Sequence, residues 1–176
     1  MKKKFLFVVL LLSMLLSCKQ SKKDIEYNYL LNHWKFSQKG DSIWKSATVP
    51  GTVQTDLLNL GEIAHPFIGT NEDSIQWVSQ KNWVFTSTPF DDPGNSNDLA
   101  FLMIDRVLTY SVWTLNDVTI GKTDNAFHMW KFDLKSALKP TGNIIKVNFE
   151  SPHKLSESLI SNSSHPLPGD SLRSVH

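Results

Sequence analysis

Between residues 30 and 150 apolar and polar positions alternate in short runs, and that alternation predicts the elements. Trp34 and Phe36 interleave with His33, Lys35 and Ser37, which predicts a first strand from about Leu31. Gly40-Asp41 turns the chain, and residues 43–49 return as a second extended segment. After the Pro50-Gly51 turn, Val53, Leu57, Leu58 and Leu60 recur at near-helical spacing and Gly61 closes the run. A long loop rich in Pro, Gly, Asn and Asp then carries Trp77. Trp83, Phe85 and Ser87 alternate with Val84, Thr86 and Thr88 as a further strand. Residues 91–98, DDPGNSND, are turn chemistry. Residues 99–104 are a nearly continuous apolar run and predict a buried strand, closed by Asp105-Arg106, which read as an ion pair at the strand end with a ligand contact as the alternative. A strand over 110–115, a turn at Asn116-Asp117 and a return over 118–120 predict a hairpin. Further strands fall at 127–134 and 144–149, the latter with Ile145, Val147 and Phe149 on one face. Residues 153–176 show no clear strand. Short strands joined by turns, without alternating helices, argue an all-β antiparallel sandwich.

Composition narrows the function more than the fold. A chain of 176 residues holds one domain with a real core. Its formal charge of +1 gives no electrostatic case for nucleic acid. Six Trp and ten Phe suit a β-rich core or a surface on which sugar rings stack. The six His show no zinc-binding spacing, there is no Gly-rich phosphate loop, and no cofactor or metal is expected.

The single cysteine excludes an intrachain disulfide, and its position gives it another role. Lys2 to Lys4 precede the apolar run Phe5 to Leu16, which is short for a membrane span. Leu15-Leu16-Ser17-Cys18 resembles a bacterial lipobox. That resemblance implies a signal peptide over residues 1–17, lipidation at Cys18 and a polar tether over 18–28. The expected location is then the bacterial cell envelope, with the membrane reached through the anchor, and Lys19 after the cysteine favours the outer membrane. A plain secretory signal with an incidental cysteine is the alternative.

The stretch 49–90 carries a more specific resemblance. Trp44, Val49-Pro50-Gly51, Asp56-Leu57-Leu58, Gly61, Ile63, Pro66-Phe67, Gly69, Asn71-Glu72, Gln76-Trp77-Val78 and Trp83 occur in order. In these residues the chain resembles the N-terminal domain of β-mannosidases of glycoside hydrolase family 2. Two departures are His65, where the family usually has Asp before Pro-Phe, and Val84-Phe85, where a Tyr is more usual. The likeness continues through residues 104–134 and covers roughly 30–152. It implies a jelly-roll β-sandwich of the galactose-binding-domain-like kind over 29–176, with its C-terminal part incomplete. It also implies that the chain is a fragment that packs on a catalytic barrel further along the polypeptide.

Retaining glycosidases use two carboxyl groups ~5 Å apart. In the family both are glutamates of the barrel, so no catalytic residue is expected here. Asn71-Glu72 looks superficially like an acid/base motif, but it follows a Gly-Thr loop with no parallel strand before it. The resemblance instead places a loop of the sandwich over the barrel mouth. Candidate substrate contacts on such loops are Asn71, Trp77 and Asn125. Asn71 reads equally as a turn-stabilising side chain, Trp77 as interface packing and Asn125 as a turn cap. Three functions stay open: a domain of an exo-β-mannosidase, or of an exo-β-glucosaminidase-like relative, acting on oligosaccharides such as a β-mannoside; a free-standing lipid-anchored lectin; and a purely structural support for the barrel.

Overall fold

The computed structural model describes residues 31–92, 94 and 99–161. The expectations for the leader, Cys18 and the tether, most of the turn at 91–98 and everything past residue 161 lie outside these. Eight strands are present: β1 Trp34–Gln38, β2 Lys45–Ala47, β3 Trp83–Ser87, β4 Phe101–Ile104, β5 Ser111–Leu115, β6 Val118–Thr123, β7 Trp130–Asp133 and β8 Ile145–Phe149. The helices are α1 Val53–Asn59, α2 Asn71–Ile75, which runs into a 3-10 turn Gln76–Val78, and α3 Pro152–Ser161.

Six strands form one sheet in the order β2-β1-β3-β8-β5-β6, and β4 pairs with β7 in a second. All pairings are antiparallel. β8 lies between β3 and β5, so strands distant in sequence are neighbours in space. The fold is the expected all-β sandwich of the galactose-binding-like kind.

Register explains where the core sits. Phe36 faces Phe85, Phe85 faces Val147 and Val147 faces Trp113 across four adjacent strands. Side chains alternate along a strand, so these residues share one face with Trp34, Trp83, Ile145 and Leu115, and all are buried. Ile104 and Phe132 of the small sheet, Leu57 of α1 and Val78 of the 3-10 turn cover that face. Full burial of Phe36, Leu57 and Leu115 is worth roughly 1.5–3 kcal/mol each. The rings of Trp113 and Phe132, 6.4 Å apart, join the two sheets. They approach closely because β6 carries Gly121, where a Cβ would overlap the Phe132 ring.

Local chemistry fixes the ends of two elements. Thr52 caps α1, its side chain accepting from the Thr55 amide at 3.1 Å. Asn116 and Asp117, at φ 51° and 67°, make the two-residue left-handed turn that the twist of a hairpin requires. Elsewhere the expectations need correction. The strands are shorter than the alternation implied, the second extended segment shrinking to Lys45–Ala47 and the one at 127–134 to Trp130–Asp133. The supposed loop around Trp77 contains α2 and the 3-10 turn, which have no apolar period to betray them. Residues 152–161 form α3, with Ser151 Oγ accepting from the Lys154 amide at 3.2 Å and Pro152 in the first turn. Asp105 and Arg106 are exposed and form no ion pair among the described residues. The strand expected to be buried, β4, is buried on one face alone.

Candidate functional site

The loop region after α1 begins from a fixed point. The Thr48 amide donates to both carboxylate oxygens of Asp56, 3.1 Å each. Asp56 is buried in the first turn of α1, where the helix N-terminus favours a negative charge. An ion pair between Lys45 and Glu62 ties β2 to the segment following α1. Gly51 lies so close to the Thr48 carbonyl that a Cβ there would overlap it. The Val-Pro-Gly turn is thereby strapped to α1.

From that base the chain builds a closed loop over residues 65–71. Asn71 Nδ2 donates to the His65 carbonyl at 3.0 Å, and the Ile68 amide donates to the same oxygen at 3.2 Å. His65 Nδ1 accepts from the Phe67 amide at 3.4 Å, so an imidazole nitrogen fills the role a carboxylate oxygen would take in an Asx turn. Ser74 Oγ donates to the Asn71 carbonyl at 2.7 Å. Asn71 thus holds the loop through its amide nitrogen, and its Oδ1 has no partner among the described residues. Phe67 stands at the tip, 91% exposed.

Trp77 follows in the 3-10 turn. Its ring lies 6.1 Å from that of Trp83, at 46°. Trp83 is buried and donates from Nε1 to the Val78 carbonyl at 2.9 Å, so Trp77 presents a partly exposed indole on a firm base. Glu72 is exposed at the start of α2 and takes part through its carbonyl, which accepts from Gln76 Nε2.

The second candidate loop, between β6 and β7, uses the same device. Asn125 Oδ1 accepts from the Phe127 amide at 2.8 Å, and the Asn125 carbonyl accepts from Trp130 Nε1 at 3.2 Å. His128 packs edge-on to Trp130, 4.8 Å between centroids. Phe127 is 100% exposed. In each loop an acceptor side chain takes the amide of a Phe two residues on and holds that ring out in solvent. Phe67 and Phe127 were not among the candidates drawn from the sequence. An acceptor followed two positions later by Phe in a turn was the signal that could have found them.

The structure joins Asn71 and His65 in one bonded unit with Trp77 shortly after it. Among the described residues no hydrogen bond, ion pair or ring contact links that unit to Asn125. Two surface depressions, of ≈250 and ≈190 Å3, are lined around Trp34 and around Asn116 and include none of the three candidates. Among the described residues no group of three or more His, Cys, Asp or Glu is placed to hold a metal ion. What the two loops offer is an unused amide oxygen, an amide nitrogen and ring faces. Such groups can hydrogen-bond to hydroxyls and pack against an apolar ring face.

The family described as "Glycosyl hydrolase 2 galactose-binding domain-like" matches residues 34–175. Beta-mannosidase A of Emericella nidulans is 32% identical over 120 residues, 67% of this chain and 13% of that protein. Beta-mannosidase of Rattus norvegicus is 35% identical over 130 residues, 73% of this chain and 14% of that protein. The crystal structure of a beta-D-mannosidase from Dictyoglomus thermophilum superposes with a TM-score of 0.74 and 33% identity, covering 80% of this chain and 18% of that one. The chain therefore spans 13–14% of the length of these curated relatives.

Proposed function

The chain belongs to glycoside hydrolase family 2 as a galactose-binding-like domain, and from that premise we propose that it is the N-terminal accessory sandwich of a retaining exo-β-mannosidase. The full-length protein would release terminal β-D-mannose from oligosaccharides. The observation that carries this reading is the level of identity. The three beta-mannosidases named above stand at 32–35%, whereas a beta-D-glucuronidase from Dictyoglomus thermophilum shares the fold at 16%.

Two carboxyl groups ~5 Å apart would perform the double displacement, one as nucleophile and one as acid/base. In this reading both come from polypeptide outside the described domain, and Glu72 is neither. The sandwich orients that polypeptide and adds contacts to the sugar. Asn71 Oδ1 would accept from a sugar hydroxyl, Trp77 would pack against an apolar ring face, and Asn125 would extend the contact from the second loop. These contacts matter to catalysis only if they are stronger in the transition state than in the ground state.

The test is kinetic and uses the full-length protein. Asn71→Ala and Trp77→Ala are each expected to lower kcat/KM for an aryl β-mannoside about 10-fold, which is ~1.4 kcal/mol of transition-state stabilisation. If both variants stay within about two-fold of the parent, the domain orients without touching sugar. No turnover of the mannoside by the unmodified full-length protein would reject the activity itself.

A further inference from the structure

Residues 65–71 hold their shape with little help from packing. His65 and residues 67–70 are exposed, and Pro66 and Asn71 are half-buried. Hydrogen bonds therefore decide whether this loop is closed, and three of them converge on His65. Its carbonyl accepts from Asn71 Nδ2 at 3.0 Å and from the Ile68 amide at 3.2 Å, and its Nδ1 accepts from the Phe67 amide at 3.4 Å. The Asn71 amide closes the far end on the Ile68 carbonyl at 3.2 Å. Gly69, at φ 58°, supplies the left-handed step that lets the chain double back.

The sequence around His65 gives its side chain one target. Pro66 has no amide hydrogen, so the first backbone donor after His65 is that of Phe67. Nδ1 accepts only while it carries no proton, which places the ring hydrogen on Nε2 and makes the ring neutral. A proton taken from solvent turns Nδ1 into a donor facing the Phe67 donor. Flipping the ring puts a carbon there, which accepts nothing. The ring of Phe67 lies 5.8 Å from the imidazole. The charged groups of the flanking segments are Glu62, paired with Lys45, and Glu72 and Asp73 in the first turn of α2. Among the described residues none of these carboxylates forms an ion pair with His65.

We propose that His65 is the positioning residue of this loop. Its neutral imidazole latches the turn that fixes Asn71 and holds the Phe67 ring outward, and protonation of the ring releases both. This rests on the reading that the loop meets the sugar, with Asn71 Oδ1 as an acceptor. A latched loop meets the ligand already ordered, whereas a released one has to be ordered at the moment of binding and binds more weakly. Substrate capture then weakens as pH falls through the histidine range, for a reason separate from the two catalytic carboxyl groups.

Two variants of the full-length protein test the latch. His65 is exposed, so neither disturbs the core. His65→Ala removes the acceptor, and His65→Asp puts back one that stays charged down to about pH 4. Amide hydrogen exchange over residues 65–71, read by mass spectrometry, reports whether the loop is closed. At about pH 7.5, exchange in His65→Ala is expected to be about five-fold faster than in the parent, with His65→Asp close to the parent. From about pH 8 to pH 5 the parent is expected to speed up about five-fold relative to His65→Asp, a ratio in which the ordinary pH dependence of exchange cancels. Over the same interval KM of the parent for an aryl β-mannoside is expected to rise relative to His65→Asp with kcat little changed, because the cost of ordering falls on ground and transition states alike. Exchange in His65→Ala within about two-fold of the parent would overturn the proposal. So would parent and His65→Asp exchange profiles that run parallel with pH. Exchange that responds as expected while KM does not would keep the latch and remove the sugar contact assigned to this loop.

Discussion

Asn143 is fully buried and every polar atom of its side chain is bonded. Its Nδ2 donates to the carbonyls of Lys139 and Phe90, at 2.7 and 3.3 Å. Its Oδ1 accepts from the Lys139 amide and from Asn116 Nδ2, at 2.8 and 2.9 Å. Asn116 in turn accepts from the Ile144 amide at 3.0 Å and donates to the Ala137 carbonyl at 2.8 Å. The pair closes the loop before β8 onto the β5–β6 turn. Asn143→Ala removes one side chain and strands several buried partners, each an expensive group to leave unbonded. The expected cost is about 3 kcal/mol, seen as a lower urea midpoint at unchanged slope. A midpoint within error of the parent would show that water replaces the network freely. Nothing in the sequence marks Asn143, since a buried amide and an exposed one carry the same letter.

The β5–β6 hairpin shows what holds an element in its sheet. Asp117 at the turn accepts from Lys146 Nζ on β8 at 2.8 Å. That hydrogen bond, followed by the attraction of the Lys146 charge, holds the Asp117 carboxyl below its ordinary value of 3.8. A lowered carboxylate stabilises the fold above the ordinary value and loses that contribution as pH falls through the lowered one. A carbon-detected NMR titration is expected to find the Asp117 midpoint below 3.8, moving upward in Lys146→Met. A midpoint unaffected by that substitution would show the bond is not formed in solution. The group is exposed, so salt should weaken the effect. Elements were legible in proportion to their periodicity. β3, β5 and β8 alternate around Phe85, Trp113 and Val147 and fall within a residue of the expected bounds, whereas β1 starts at Trp34, three residues after its expected start. α2 was missed because Asn71, Glu72, Asp73 and Ser74 are all polar, and α3 because its charged and hydroxyl residues dilute any apolar stripe.

At the scale of the whole molecule, the leader bears on where the protein sits. The leader and Cys18 are outside the described residues, and lipid anchoring at Cys18 is our proposal from the sequence of residues 1–18. Expressed in a Gram-negative bacterium, the full-length protein should sediment with membranes and incorporate labelled palmitate. Cys18→Ala should abolish the label and release the protein from the membrane fraction. A parent protein already free of label and membrane would remove the anchor from the account.

The sequence by itself determined the β-sandwich, the turn at Asn116-Asp117 and the family, because each rests on neighbours along the chain or on a pattern of residues at fixed spacing. It also contained the two-sided apolar run of β4 without saying which side would be left open. Only the tertiary structure decided that Leu99, Phe101 and Met103 face outward, that Asn71 spends its amide nitrogen on His65, and that Phe67 and Phe127 stand in solvent. Those outcomes depend on which strands pair and which groups meet across the fold. A linear pattern gives the period of a strand, but register and layer partners are settled by contacts between residues far apart in the chain.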